Sequence, residues 1–183
     1  MWLIRNETEM ADLEHKRALV GVFVARNYSR EKIDWLFEAR AGFDEHSNSA
    51  WYLLIPSNRG YGVAAWTEAK GYDARLASTI INRLDIKYEA LPCIVFRVNE
   101  GEHYYLKLGG KTRDQFCEEI GRITDLAQKC QKEGPEDAEQ FREYVNERLI
   151  IHLRTRKILS ATRTALPAIS KIVGGIVGIN ELI

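Results

Sequence analysis

Residues 89–96 read EALPCIVF, a proline at the mouth of an apolar, β-branched run with a cysteine just behind it. Proline has no backbone N–H to give to a ladder, so in a sheet it is confined to edges, bulges or the first position of a strand. Pro92 stands at that first position. The stretch therefore predicts a buried strand over 93–98.

On its carboxyl side, "NEG" (99–101) is a hairpin signal, and "EHYYLKL" (102–108) returns as a second strand. Gly109-Gly110 ends it. Thr112 is placed to cap "RDQFCEEIGRITDLAQKC", where Phe116, Ile120, Ile123 and Ala127 repeat at helical spacing. On its amino side, Asp73 caps "ARLASTIINRL", with Leu76, Ile80 (or Ile81) and Leu84 along one side. "AWYLLI" (50–55) and "ALVGVFVA" (18–25) are continuous apolar runs of strand length, the pattern of strands covered on both faces. Between them Ser29 is the expected N-cap of "REKIDWLFEARAGF", with Ile33, Leu36, Phe37 and Phe43 at helical spacing and Gly42 as the stop. Residues 7–17 run from acidic to basic, an order that suits the dipole of a short helix. The predicted order is β-α-β-α-β-β-α. Strands alternating with helices pair in parallel through crossovers, and the hairpin adds an antiparallel edge. The class is α/β, a mixed sheet with helices on both faces.

The chain has 183 residues, 45% of them hydrophobic, enough for one sizeable core with something appended. Lys plus Arg and Asp plus Glu stand at 26 each, so net charge gives no argument for nucleic acid as a partner. Cys93, Cys117 and Cys130 form no C-x-x-C and leave an odd one out, against both a disulfide framework and a zinc site. Reduced thiols in a cytoplasmic protein are the expectation. The first residues, "MWLIRNETEMADLEHKR", hold no apolar core of a secretory signal.

This order, with Leu91-Pro92-Cys93-Ile94-Val95-Phe96 at the third strand, resembles the thioredoxin-like fold over residues 18–132. In that family a cis-proline precedes the strand that starts the hairpin and faces the N-terminus of the second helix. The resemblance implies a ligand or peptide site there, at the carboxyl ends of the parallel strands. It fails where the chemistry would sit. Family oxidoreductases carry a cysteine where the second strand meets the second helix, and "IPSNRGYGVAAWTEAKGYDARLAS" has none. Without a thiolate at a helix N-terminus, dithiol exchange has no nucleophile.

Cys93 is the one thiol near that place, readable as a reactive residue or as a small apolar core residue. The loop over 57–72 holds Arg59, Tyr61 and Trp66, with Lys70 and Tyr72, among glycines. Arg and aromatic side chains suit an interface, so Arg59, Tyr61, Trp66, Pro92 and Cys93 are the candidate binding residues. "RGYG" lacks the length and the Lys-Ser/Thr of a phosphate loop. His15, His46, His103 and His152 are scattered, so no metal, cofactor or catalytic residue is expected.

Gly134-Pro135 marks a boundary, a helix stop followed by a proline suited to a first helical position. The expected division is a domain over 1–133 and a helical tail over 134–183. Between Arg148 and Lys171 the sequence has no acid, while Arg148, Arg154, Arg156, Lys157, Arg163 and Lys171 are basic. At about 100° per residue Arg148, His152, Arg156 and Arg163 share one arc, opposite Ile150, Ile151, Ile158, Ala161 and Ala165. Pro167 is expected to break this helix. Beyond it Ser170, Gly174 and Gly178 stand four apart, a stripe that lets helices approach closely. Residues 168–183 are too short, and too charged at Lys171 and Glu181, for a full bilayer span.

Three functions follow as expectations. One is a binding or scaffolding module whose tail mediates self-association or recruits a protein partner. Another is a peripheral membrane-binding or membrane-perturbing protein held by its basic amphipathic helix. A thiol-dependent enzyme using Cys93 is the third.

Overall fold

The computed structural model describes residues 1–6, 8–58, 71–99 and 102–172, the last of these as backbone alone from residue 156 onward. Its elements are β1 (Trp2–Ile4), α1 (Thr8–Glu14), β2 (Leu19–Val24), α2 (Arg30–Glu38), α3 (Arg40–Ser47), β3 (Trp51–Pro56), α4 (Ala74–Arg83), β4 (Cys93–Asn99), β5 (Glu102–Lys107), α5 (Arg113–Glu133) and α6 (Ala138–Ile172). The protein is α/β, with one five-stranded sheet ordered β1-β3-β2-β4-β5. β3 pairs in parallel with both β1 and β2, while β4 runs antiparallel to β2 and to β5.

Period-two alternation splits the strand residues between two buried faces. On one, Ile4, Val22, Val24, Leu54, Cys93 and Val95 pack with Leu13 of α1 and with Ile80 and Ile81 of α4. On the other, Trp51 meets Phe43 of α3 edge-on at 5.0 Å and Phe96 of β4 at 6.2 Å. There α5 lies against α3 and β3, and the His46 side chain meets Asp125 at 2.9 Å. Gly21 sits opposite Phe96 across β2 and β4. A Cβ at that position would come within 2.8 Å of Phe96 Cε1, so the bare backbone is what admits the ring between the strands.

Several local expectations change. β1 is an added strand, three residues long, below the length at which alternation is visible in sequence. The helix expected over 30–43 is two helices parted at Ala39, whose N–H donates back to Trp35 O at 3.0 Å. Gly42 does not stop the second, because nothing crowds it and α3 runs on to Ser47, ending at Asn48 with φ 47°. Ser29 makes no side-chain cap. It belongs to a 3-10 turn over Asn27–Ser29, whose backbone bond from Ser29 N to Arg26 O at 2.8 Å already leads into α2. The other two expected caps form: Asp73 Oδ1 accepts from Arg75 N and Leu76 N at 2.8 and 3.0 Å, and Thr112 with Gln115 makes a capping box on α5.

The C-terminal region differs most. The chain divides into compact units at Met1–Leu149 and Ile150–Ile183, not at Gly134. Gly134 does end α5, but Phe141, Val145 and Leu149 of α6 are at most 1% exposed, and their burial carries the first unit past it. Arg17 fixes the junction. Its guanidinium donates to the carbonyls of Pro135, Gln131 and Gly134 at 2.6, 3.1 and 3.0 Å and lies 4.8 Å from the Phe141 ring centroid. An arginine from the turn before β2 thus satisfies carbonyls that the end of α5 leaves open. Pro167 does not break α6, whose backbone continues to Ile172. The missing proline N–H forgoes one bond while the turns on either side keep theirs.

Candidate functional site

The carboxyl ends of β2 and β3 and the start of β4 come together, because the antiparallel register sets Val24 against Cys93. α4 begins at the same place: Asp73 N donates to Pro56 O at 2.9 Å. The Leu91–Pro92 bond is cis. The Pro92 carbonyl accepts from Leu108 N at 2.8 Å, which ties the far end of the hairpin to the head of β4.

Both candidates from this stretch are inside. Pro92 is buried. Cys93 has no exposure, and burial pushes its thiol up to about 12, opposed only in part by the Lys107 ammonium. At neutral pH the thiol holds its proton and is out of reach of solvent, whereas thiol chemistry needs an accessible thiolate. Cys93 works here as a packing residue.

Tyr72 closes the end of β2. Its hydroxyl donates to Ala25 O at 3.1 Å and accepts from Ala25 N at 2.7 Å, and its ring meets Phe23 edge-on at 6.1 Å. Burial holds the phenol protonated well above the usual tyrosine range, with the Ala25 bond acting the other way. Both the N–H and the carbonyl of Ala25 bond to this one hydroxyl at a buried site. Tyr72→Phe is expected to cost about 1–3 kcal/mol, the penalty of buried polar groups left unpaired. Urea unfolding of the two proteins measures it, and equal midpoints would count against the clip.

An isolated bridge between Ser57 and Tyr72, with Asn58 N donating to Gly71 O at 3.2 Å, closes the base of the segment that connects β3 to α4. Arg59, Tyr61 and Trp66 belong to that segment and lie outside the described residues.

Around the same end of the sheet stands a surface that the sequence reading missed. Tyr28 and Tyr88 are 60% and 56% exposed, with ring centroids 5.8 Å apart. A hydrogen bond with Tyr88 is the main cause raising the Tyr28 phenol, and the Arg26 guanidinium lies 4.7 Å over the Tyr88 ring. A signal existed in position only: Tyr28 follows the 18–25 run and Tyr88 precedes Ala90-Leu91-Pro92. No spacing rule joins residues sixty apart in the chain.

The tail candidates are spread along α6. Arg148 is exposed and stacks 4.3 Å from the Tyr144 ring, and Arg154 is exposed. Arg156, Lys157, Arg163 and Ser170 are placed on the helix as backbone, while Gly174 and Gly178 lie outside the described residues. Among the described residues no group of His, Cys, Asp and Glu is arranged to hold a metal ion. No described helix is long and apolar enough to cross a membrane. No protein-family model and no curated protein matches this chain.

Proposed function

We propose that the chain is a redox-inactive, thioredoxin-like binding module whose C-terminal helix joins copies of the protein. The kinship is supported by the sheet order, by parallel β2 and β3 followed by an antiparallel hairpin, and by the cis-proline at the head of β4. The sequence between Trp51 and Leu91 has no cysteine to act as a nucleophile. The observation that carries a binding role is the contrast at this end of the sheet. The Cys93 thiol is sealed, while Tyr28 and Tyr88 stand in solvent beside Arg26. Aromatic and arginine side chains are those that dominate interface energies.

The test compares residues 1–183 with a chain ended at Leu149, by sedimentation or light scattering. The full chain is expected at a multiple of its 21.0 kDa mass and the shortened one as a monomer. Equal monomeric masses would remove self-association. A second reading, attachment to an anionic membrane surface, draws on the six bases and no acids between Arg148 and Lys171. Flotation with anionic vesicles that survives Arg154→Glu, Arg156→Glu and Lys157→Glu together would end that reading.

A further inference from the structure

The hairpin of β4 and β5 leaves one edge of the sheet open. β5 is the last strand in the order β1-β3-β2-β4-β5, and no described strand lies beyond it. Leu108 N donates to Pro92 O at 2.8 Å, and the register that pairs Cys93 with Lys107 sets these two residues opposite one another. In an antiparallel ladder, opposed residues alternate between exchanging hydrogen bonds and turning them away. Leu106 and Tyr104 therefore bond to β4, whereas the N–H and C=O groups of His103, Tyr105 and Lys107 point out of the sheet edge. The side chains of those three residues share one face, two apart along the strand. It is the face of Cys93 and Val95, and Tyr105 packs against that cluster. The His103 and Tyr105 ring centroids are 6.5 Å apart, and Lys107 Nζ lies 5.9 Å from the Tyr105 centroid. Lys107 is exposed and the two rings are half-buried. An open row of backbone donors and acceptors thus runs beside a base–aromatic–base row of side chains.

We infer that this edge receives an extended peptide as a sixth strand, one that carries an acidic residue on each side of an apolar one at alternate positions. The inference rests on β5 and needs neither the self-association nor the kinship proposed above. Main-chain bonds to His103, Tyr105 and Lys107 hold such a strand about 4.8 Å from β5. Its alternate side chains then lie along the row, an acid by Lys107, an apolar residue by Tyr105 and an acid by His103. Opposite charges directly across a strand pair are favourable, and like charges are not. The same rule disfavours a second copy as the occupant. An antiparallel copy paired along the whole row puts Tyr105 at the two-fold axis and Lys107 opposite His103, base against base. A lysine on an edge strand guards against pairing of that kind, and its charge selects an acidic partner instead. Nucleic acid could use the base and the rings, but it would leave the alternating backbone groups unmatched.

The probe is a fluorescent peptide, Thr-Glu-Thr-Val-Thr-Glu-Thr, titrated with the full chain at low salt and read by fluorescence anisotropy. Saturable binding is expected. N-methylation of the valine and the two glutamates removes the N–H donors that face β5 and is expected to abolish it. Lys107→Glu, with its fold verified by circular dichroism, is expected to weaken binding about ten-fold. A peptide with lysines in place of the glutamates is expected to prefer that variant to the wild type. If Lys107→Glu does not fold, the N-methylated peptide against the wild-type chain still decides. No saturable binding would mean that Lys107 is an edge guard only, and the inference falls. It falls equally if the N-methylated peptide binds as well as its parent, since bare charge would then explain the attraction. An oligouridylate that binds where the acidic peptide does not would assign the row to nucleic acid and overturn the inference. None of these results bears on self-association, which sedimentation reads separately.

Discussion

A chain ended at Leu149 is expected to unfold in one cooperative step, whereas a chain ended at Glu133 is expected to show no native transition at all. The shorter chain loses Phe141, Val145 and Leu149, which are 0%, 1% and 0% exposed in the intact unit. Side chains of this kind contribute about 1.5–3 kcal/mol each on burial, so roughly 5–9 kcal/mol is removed together. That approaches the whole stability of an ordinary domain. The loss also strands Arg17, whose guanidinium is held by the Pro135 and Gly134 carbonyls and the Phe141 ring. Thermal unfolding followed by circular dichroism separates the two chains. A sharp transition for the 1–133 chain at the temperature of the 1–149 chain would show that the part of α6 up to Leu149 is dispensable.

Between pH 9 and pH 12 the protein is expected to lose stability steeply, and Cys93→Ala is expected to flatten that loss. Burial raises the Cys93 thiol from 9.0 to about 12. Below pH 9 both folded and unfolded chains keep the proton, and the contribution of the buried thiol is fully present. Above pH 9 the unfolded chain ionises while the folded chain does not. Stability then falls by about 1.4 kcal/mol per pH unit for this one group until the folded thiol titrates as well. Tyr72, raised from 10.0 by its own burial, adds to the loss higher in the same range. Urea midpoints measured at stepwise pH give the slope for each protein. Parallel slopes for wild type and Cys93→Ala would mean that the thiol is not sealed as described.

The strands β2, β3 and β4 were legible because each holds an unbroken apolar run of four residues or more, and a strand buried on both faces leaves that trace whatever surrounds it. Asp73 and Thr112 were legible as caps because capping joins residues two or three apart. β1 was not, since three residues carry no period. Of the candidate site, Pro92 and Cys93 are buried at the head of β4. Tyr28, Tyr88 and Arg26 were passed over, since only the pairing of β2 with β4 brings the ends of distant segments together.

By itself, then, the sequence determined the local elements: which runs extend, which coil, where two helices are capped, and that no cysteine lies between Trp51 and Leu91. These follow from side-chain periodicity and from hydrogen bonds within a few residues, information that is written along the chain. Tertiary structure alone decided that Cys93 is sealed, that Tyr72 clips the end of β2, and that Arg17 draws the first turns of α6 into the folded unit. Those outcomes depend on which surfaces meet. Burial and distant hydrogen bonds are properties of pairs of segments, and no single segment records them.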